Sequence, residues 1–161
     1  MHRFYWLDVG QLAGCSRPGA RPGRRDPSPD EIAADLAWLS ARGIGALLTL
    51  TETPIPAEVP VPAGFDMLHL PVIDFSPPTP GQFIEALRFI DSRQAAGLAV
   101  AVHCLAGLGR TGSVLAATRI RAGATASGAI AAVREVCPGA VESESQVAAL
   151  EAFARERAWL M

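Results

Sequence analysis

The sequence contains no lysine and no asparagine, three cysteines and a single tyrosine among 161 residues. Without lysine, the phosphate loop of the G-x-x-x-x-G-K type is excluded. All 14 cationic side chains are arginine, set against 16 acids for a net charge of −2. A general nucleic-acid binder carries a basic surplus, and none is present, so no nucleic-acid partner is expected. Cys15, Cys104 and Cys137 are odd in number and form no C-x-x-C pair. Neither a disulfide framework nor a thiol-rich zinc site fits, and a reducing, cytoplasmic setting is expected. The longest run without charge, Gln94 to Gly109, is interrupted by His103 and is too short to span a bilayer, so no membrane partner is expected.

What is present is apolar: 50% of residues are hydrophobic, enough for one core. The length fits a single domain over residues 1–161. Phe4 to Val9 reads as a first strand followed by a turn. Leu12-Ala13-Gly14-Cys15 spells a lipoprotein cleavage box, but Asp8 and Gln11 break the apolar stretch that a signal peptide needs. Ser16 to Asp30 mixes Arg17, Arg21, Arg24 and Arg25 with prolines and glycines and reads as a solvated surface loop. Ser28-Pro29-Asp30-Glu31 opens a helix that stops near Gly43, and Ile44 to Leu50 reads as a buried strand. A short strand follows at Asp66 to Leu70, then a helix starting at Thr79-Pro80 with Phe83, Leu87 and Ile90 inward. Trp38 and Phe83 are expected in the core, and His69 as a partly buried, hydrogen-bonded histidine. Leu98 to Val102 is the most strand-like run, and three Ala-rich helices follow over Gly109–Arg121, Thr125–Val136 and Ser143–Trp159. Alternating strands and helices predict an α/β fold with a mostly parallel sheet of about four or five strands flanked by helices.

The chemistry concentrates in His103-Cys104-Leu105-Ala106-Gly107-Leu108-Gly109-Arg110-Thr111-Gly112. A buried strand here runs into a glycine-bearing loop and directly into a helix. Loop amides and the open N–H groups of a helix start together form a concave anion site. A thiol facing that field loses its proton readily, and an arginine fork grips two phosphate oxygens at once. Cys104 and Arg110 thus supply a nucleophile and an oxyanion binder for phosphoryl transfer.

This segment resembles the signature of the cysteine-dependent tyrosine and dual-specificity phosphatases, and the chain is most similar to the small, single-domain atypical members. Leu70 to Pro78 resembles their general-acid loop, with Asp74 standing 30 residues before Cys104. Leu12–Gly14, Leu48–Glu52 and Pro138–Glu142 resemble further segments, so the likeness covers nearly the whole chain. The resemblance implies a protein tyrosine phosphatase-like fold and a cysteinyl-phosphate intermediate. It implies Cys104 as nucleophile, with Arg110 and the amides of Leu105, Ala106, Gly107, Leu108 and Gly109 around the phosphate. Asp74 is implied as general acid and then base, Thr111 as a hydroxyl partner of the sulfur, and His103 as a structural support of the loop. No metal and no cofactor are implied.

One departure stands out. Where larger members carry isoleucine-glutamine-threonine-x-x-glutamine, this chain has Val141-Glu142-Ser143-Glu144-Ser145-Gln146, with a carboxylate at the first glutamine position and Gln146 matching the second. Glu142 reads either as a water-positioning or acid–base group or as a helix N-terminal charge. Gly107 to Gly112 also spells G-x-G-x-x-G, the dinucleotide fingerprint, but Glu135 stands in a helical stretch where that reading wants a strand end. The signature loop has no basic side chain between Cys104 and Arg110. That composition favours a monophosphate ester on a protein or a small molecule over a highly phosphorylated inositol. The alternative is a catalytically silent phosphate-binding module. A monomer is expected.

Overall fold

The computed structural model describes residues 1–23 and 26–157. Arg24 and Arg25, and the end of the last predicted helix toward Trp159, lie outside the described residues. Five strands make one sheet: β1 (Phe4–Asp8), β2 (Leu12–Cys15), β3 (Ile44–Thr49), β4 (Asp66–His69) and β5 (Ala99–His103). Their order is β1-β2-β5-β3-β4, with β2, β5, β3 and β4 parallel and β1 antiparallel at the edge. The predicted α/β architecture is therefore present.

β5 is buried along its whole length, as a central parallel strand between two covered faces must be. Val100 and Val102 face one core, while Ala99 and Ala101 face the other, following the twofold period of a strand. Helix α1 (Pro29–Ala41) covers the second face through Ile32, Leu36 and Leu39. Helices α2 (Pro80–Ala95), α3 (Gly109–Arg121), α4 (Ala126–Val136) and α5 (Glu144–Glu156) build the larger core on the first. Helix α3 is the hub: nearly all of it is buried, and its small residues Gly112, Ala116 and Ala117 let neighbours approach. A Cβ on Gly112 would lie 2.9 Å from the Val141 nitrogen.

The predicted capping box forms at Ser28, and the helix expected from Thr79-Pro80 opens with a box of its own, between Thr79 and Gln82; each has proline in the first helical turn. The turn expected after the first strand forms at residues 9–11, and the chain beyond it enters a further buried strand, β2, which Gly14 obscures in the sequence. Gly14 stands there because the Tyr5 ring lies across it; a Cβ would come within 2.4 Å of that ring. Two expectations need correction. Trp38, expected in the core, is half-buried, edge-on to Phe4, with the Arg42 guanidinium 3.7 Å above its ring. The arginine loop is also less solvated than expected. Arg21 forms two hydrogen bonds, of 2.9 and 3.0 Å, with the carboxylate of the buried Asp35.

Candidate active site

The four parallel strands finish in one row. Cys15 and Thr49 both align with His103, and His69 aligns with Thr49. The segments that leave these strands emerge together at their carboxyl ends, where open α/β sheets place their ligand crevices. Cys104 follows β5, Glu52 follows β3, Asp74 follows β4 and Arg17 follows β2.

Cys104 is 3% exposed at the floor of this crevice. The Thr111 hydroxyl, in the first turn of α3, donates to its Sγ at 3.0 Å. Between them the chain turns through Gly107 at φ +80°, and a Cβ there would sit 2.7 Å from the Cys15 backbone. Glycine is thus required twice over, by conformation and by space. Helix α3 begins at Gly109 with no side-chain cap, and its first helical bond runs from Gly112 N–H to the Leu108 carbonyl. Its opening amides therefore face the loop. Leu105 and Ala106 form the exposed rim, while Gly107 and Gly109 are buried.

Arg110 is buried, and its guanidinium meets three groups. Nη1 donates to the Val72 carbonyl at 2.9 Å and to Glu52 Oε1 at 3.2 Å. Nη2 lies 3.2 Å from Asp74 Oδ1. The expected nucleophile loop, arginine and carboxylate therefore converge. Asp74 Oδ1 also accepts the Phe75 N–H at 3.0 Å.

The two residues at the departure segment sit beside the same loop. Gln146 is fully buried and forms the third position of a capping box with Ser143, the N-cap of α5. Its Oε1 accepts the N–H groups of Glu142 and Ser143, and its Nε2 donates to the Ser76 carbonyl at 3.2 Å. The Glu142 side chain is exposed and reaches over Gly109, its Oε1 2.6 Å from where a Cβ would stand. Both of the sequence readings of Glu142 fit that position.

His103 is fully buried, with Nδ1 3.1 Å from the Cys104 carbonyl and Nε2 2.9 Å from Thr49 Oγ1. Burial pushes its pKa down to about 4, against the pull of the Cys104 carbonyl and helped by Arg17 and Arg110. Its ring is neutral near pH 7 and supports the loop from behind. Burial pushes the thiols of Cys15 and Cys137 up, which leaves them inert.

Sequence reasoning missed several supports. Tyr5, the one tyrosine, donates to the Gly107 carbonyl at 2.7 Å. Arg3 donates to the Ala106 carbonyl at 2.6 Å, and the Arg17 N–H to that of Leu105 at 3.0 Å. The opening hairpin thus holds three successive loop carbonyls away from the cradle. Glu52 was in view only as part of a resembling segment, with nothing local to mark it as a partner of Arg110. No helix among the described residues is long and apolar enough to cross a membrane.

Comparison with known proteins gives the family. A family model described as "Polymorphic toxin system, DSP-PTPase phosphatase" matches residues 22–124. The chain belongs to this family. The crystal structure of the G95A form of Tk-PTP is 31% identical to this DSP-PTPase, with a TM-score of 0.72, covering 98% of this chain and 97% of that one. Human protein tyrosine phosphatase type IVA 3 is 33% identical over 109 residues, which are 66% of this chain and 59% of that protein. The tyrosine-protein phosphatase cdc-14 of Caenorhabditis elegans is 36% identical over 85 residues, 52% of this chain. This DSP-PTPase spans 12% of the worm protein's length. The dinucleotide reading finds no footing: Glu135 lies within α4, and a helix stands where a second nucleotide-binding strand would be needed.

Proposed function

We propose that this DSP-PTPase hydrolyses phosphate monoesters through a cysteinyl-phosphate intermediate, with phosphotyrosine the first substrate class and phosphoserine or phosphothreonine the second. The observation that carries the reading is the convergence of three groups on one loop: Cys104 with its Thr111 hydroxyl, the buried Arg110, and Asp74 at 3.2 Å from that arginine.

In this reading the Cys104 thiolate attacks phosphorus in line with the ester oxygen, and the S–P bond forms as the P–O bond breaks. Asp74 gives its proton to the departing oxygen. Arg110 and the amides from Leu105 to Arg110 hold the three equatorial oxygens, supplying the charge that a metal provides elsewhere. In the second step Asp74 takes a proton from water, whose oxygen bonds to phosphorus as the sulfur leaves. Thr111 donates to that sulfur and stabilises it as thiolate. We assign Glu142, which reaches over Gly109, to orienting the water. All of these groups come from one chain, so we read the enzyme as a monomer. A thiolate nucleophile fits a reducing compartment, the cytoplasm.

The test is hydrolysis of p-nitrophenyl phosphate from pH 4.5 to 8 without metal. Wild-type turnover is expected, with none for Cys104→Ser and a loss of about 100-fold or more for Asp74→Ala. A folded, reduced wild type that turns nothing over would sink the enzyme reading and leave a phosphate-binding module.

A further inference from the structure

Phe75, next to Asp74, adopts φ +61°, a left-handed conformation that bulky side chains avoid. Its ring does not hold it there, being 57% exposed. Hydrogen bonds do. The Ser143 hydroxyl donates to the Phe75 carbonyl at 2.7 Å, the Ser145 hydroxyl lies 3.5 Å from the same oxygen, and Gln146 holds the next carbonyl, that of Ser76. On the other side, the Phe75 N–H is bound by Asp74 Oδ1, the oxygen that faces Arg110. The conformation of Phe75 therefore links the start of α5 to the aim of the Asp74 carboxyl.

We propose that Ser143 is a positioning residue for Asp74, its hydroxyl clamping the strained Phe75 peptide so that the carboxyl meets the leaving oxygen. The proposal rests on Asp74 being the general acid. Released from the clamp, Phe75 relaxes toward negative φ and carries the carboxyl with it. Ser143 has a second, purely structural duty: its oxygen accepts the Gln146 N–H as the cap of α5. The two duties are separable, because capping needs an acceptor and clamping needs a donor.

The experiment compares kcat/KM on phenyl phosphate, a poor leaving group that needs the acid, with that on p-nitrophenyl phosphate, a good one. Wild type, Asp74→Asn, Ser143→Thr, Ser143→Ala and Ser143→Asp are each measured, together with their thermal midpoints. Ser143→Asp keeps the cap and loses the donor. It is expected to hold the wild-type midpoint while losing phenyl phosphate turnover about 10-fold more than p-nitrophenyl phosphate turnover. Ser143→Ala shows the same selective loss with a lowered midpoint, and Ser143→Thr restores both. If Asp74→Asn shows the selective loss and Ser143→Asp does not, or loses both substrates equally, the clamp is refuted and the acid assignment survives. If Asp74→Asn itself shows no selectivity, the acid assignment falls and the clamp falls with it.

Discussion

A buried histidine beside the proposed nucleophile invites a catalytic role, and the surroundings of His103 argue against one. Both ring nitrogens are engaged, with Thr49 and the Cys104 carbonyl, and burial holds the pKa at about 4. In the unfolded chain the ring takes up its proton near pH 6.5. Between those values the unfolded state binds the extra proton, so stability rises with pH across the window. His103 thus contributes stability that is present above about pH 6.5 and is lost as pH falls through the folded value, by about 3 kcal/mol. Thermal unfolding of wild type and His103→Gln from pH 4 to 7 checks this. The wild type is expected to lose more of its midpoint toward low pH than the variant, and parallel curves would contradict it. The same neutral ring predicts that no limb of the activity profile between pH 5 and 8 belongs to His103.

At the level of elements, the clasp around Asp35 of α1 shows how an irregular segment is tied down. The carboxylate receives Gly19 N–H at 2.5 Å, the Arg21 guanidinium and the amino group of Met1 at 2.7 Å. Burial alone would raise its pKa, but these partners outweigh burial and hold the carboxyl below the ordinary range. Asp35→Asn is expected to cost about 3 kcal/mol in denaturant unfolding near pH 7, because it strands buried donors and a cation. The difference from wild type shrinks as pH falls through the depressed folded pKa, where the native carboxylate is itself protonated.

Periodicity exposed most of these elements. The Ser28 box and the Thr79-Pro80 pair marked two helix starts, and Gly109–Arg121 matches α3 end to end. Residues close in sequence also made the proposed nucleophile loop legible, since Cys104, Gly107 and Arg110 lie within one turn of chain. What stayed hidden depends on partners far along the chain. The strand identity of Leu12–Cys15 comes from β5, the role of Tyr5 from a carbonyl 102 residues away, and that of Ser143 from a carbonyl 68 away. No local pattern encodes such pairings. Tyr5 offers a direct check on this long-range support. Tyr5→Phe leaves the Gly107 carbonyl without its donor and is expected to lower kcat about 10-fold while costing about 1 kcal/mol of stability. Gly14→Ala should reproduce the kinetic loss from the other side, since its methyl group displaces the Tyr5 ring. Wild-type kcat in both variants would show that the hairpin merely fills space.

Among the described residues of the whole molecule, the sheet is covered unevenly, with one helix on one face and four on the other, and the site lies at the edge where both sides contribute. The opening hairpin braces the loop carbonyls from below, while α5 fastens the acid loop from above. Residues 22–124, the stretch recognisable as DSP-PTPase, contain Cys104, Asp74 and Arg110 but neither brace. The portable signature and the working machine are therefore different objects. A transplant that moved only the recognisable stretch would deliver Cys104, Asp74 and Arg110 without the hairpin and the α5 start that brace the loops around them.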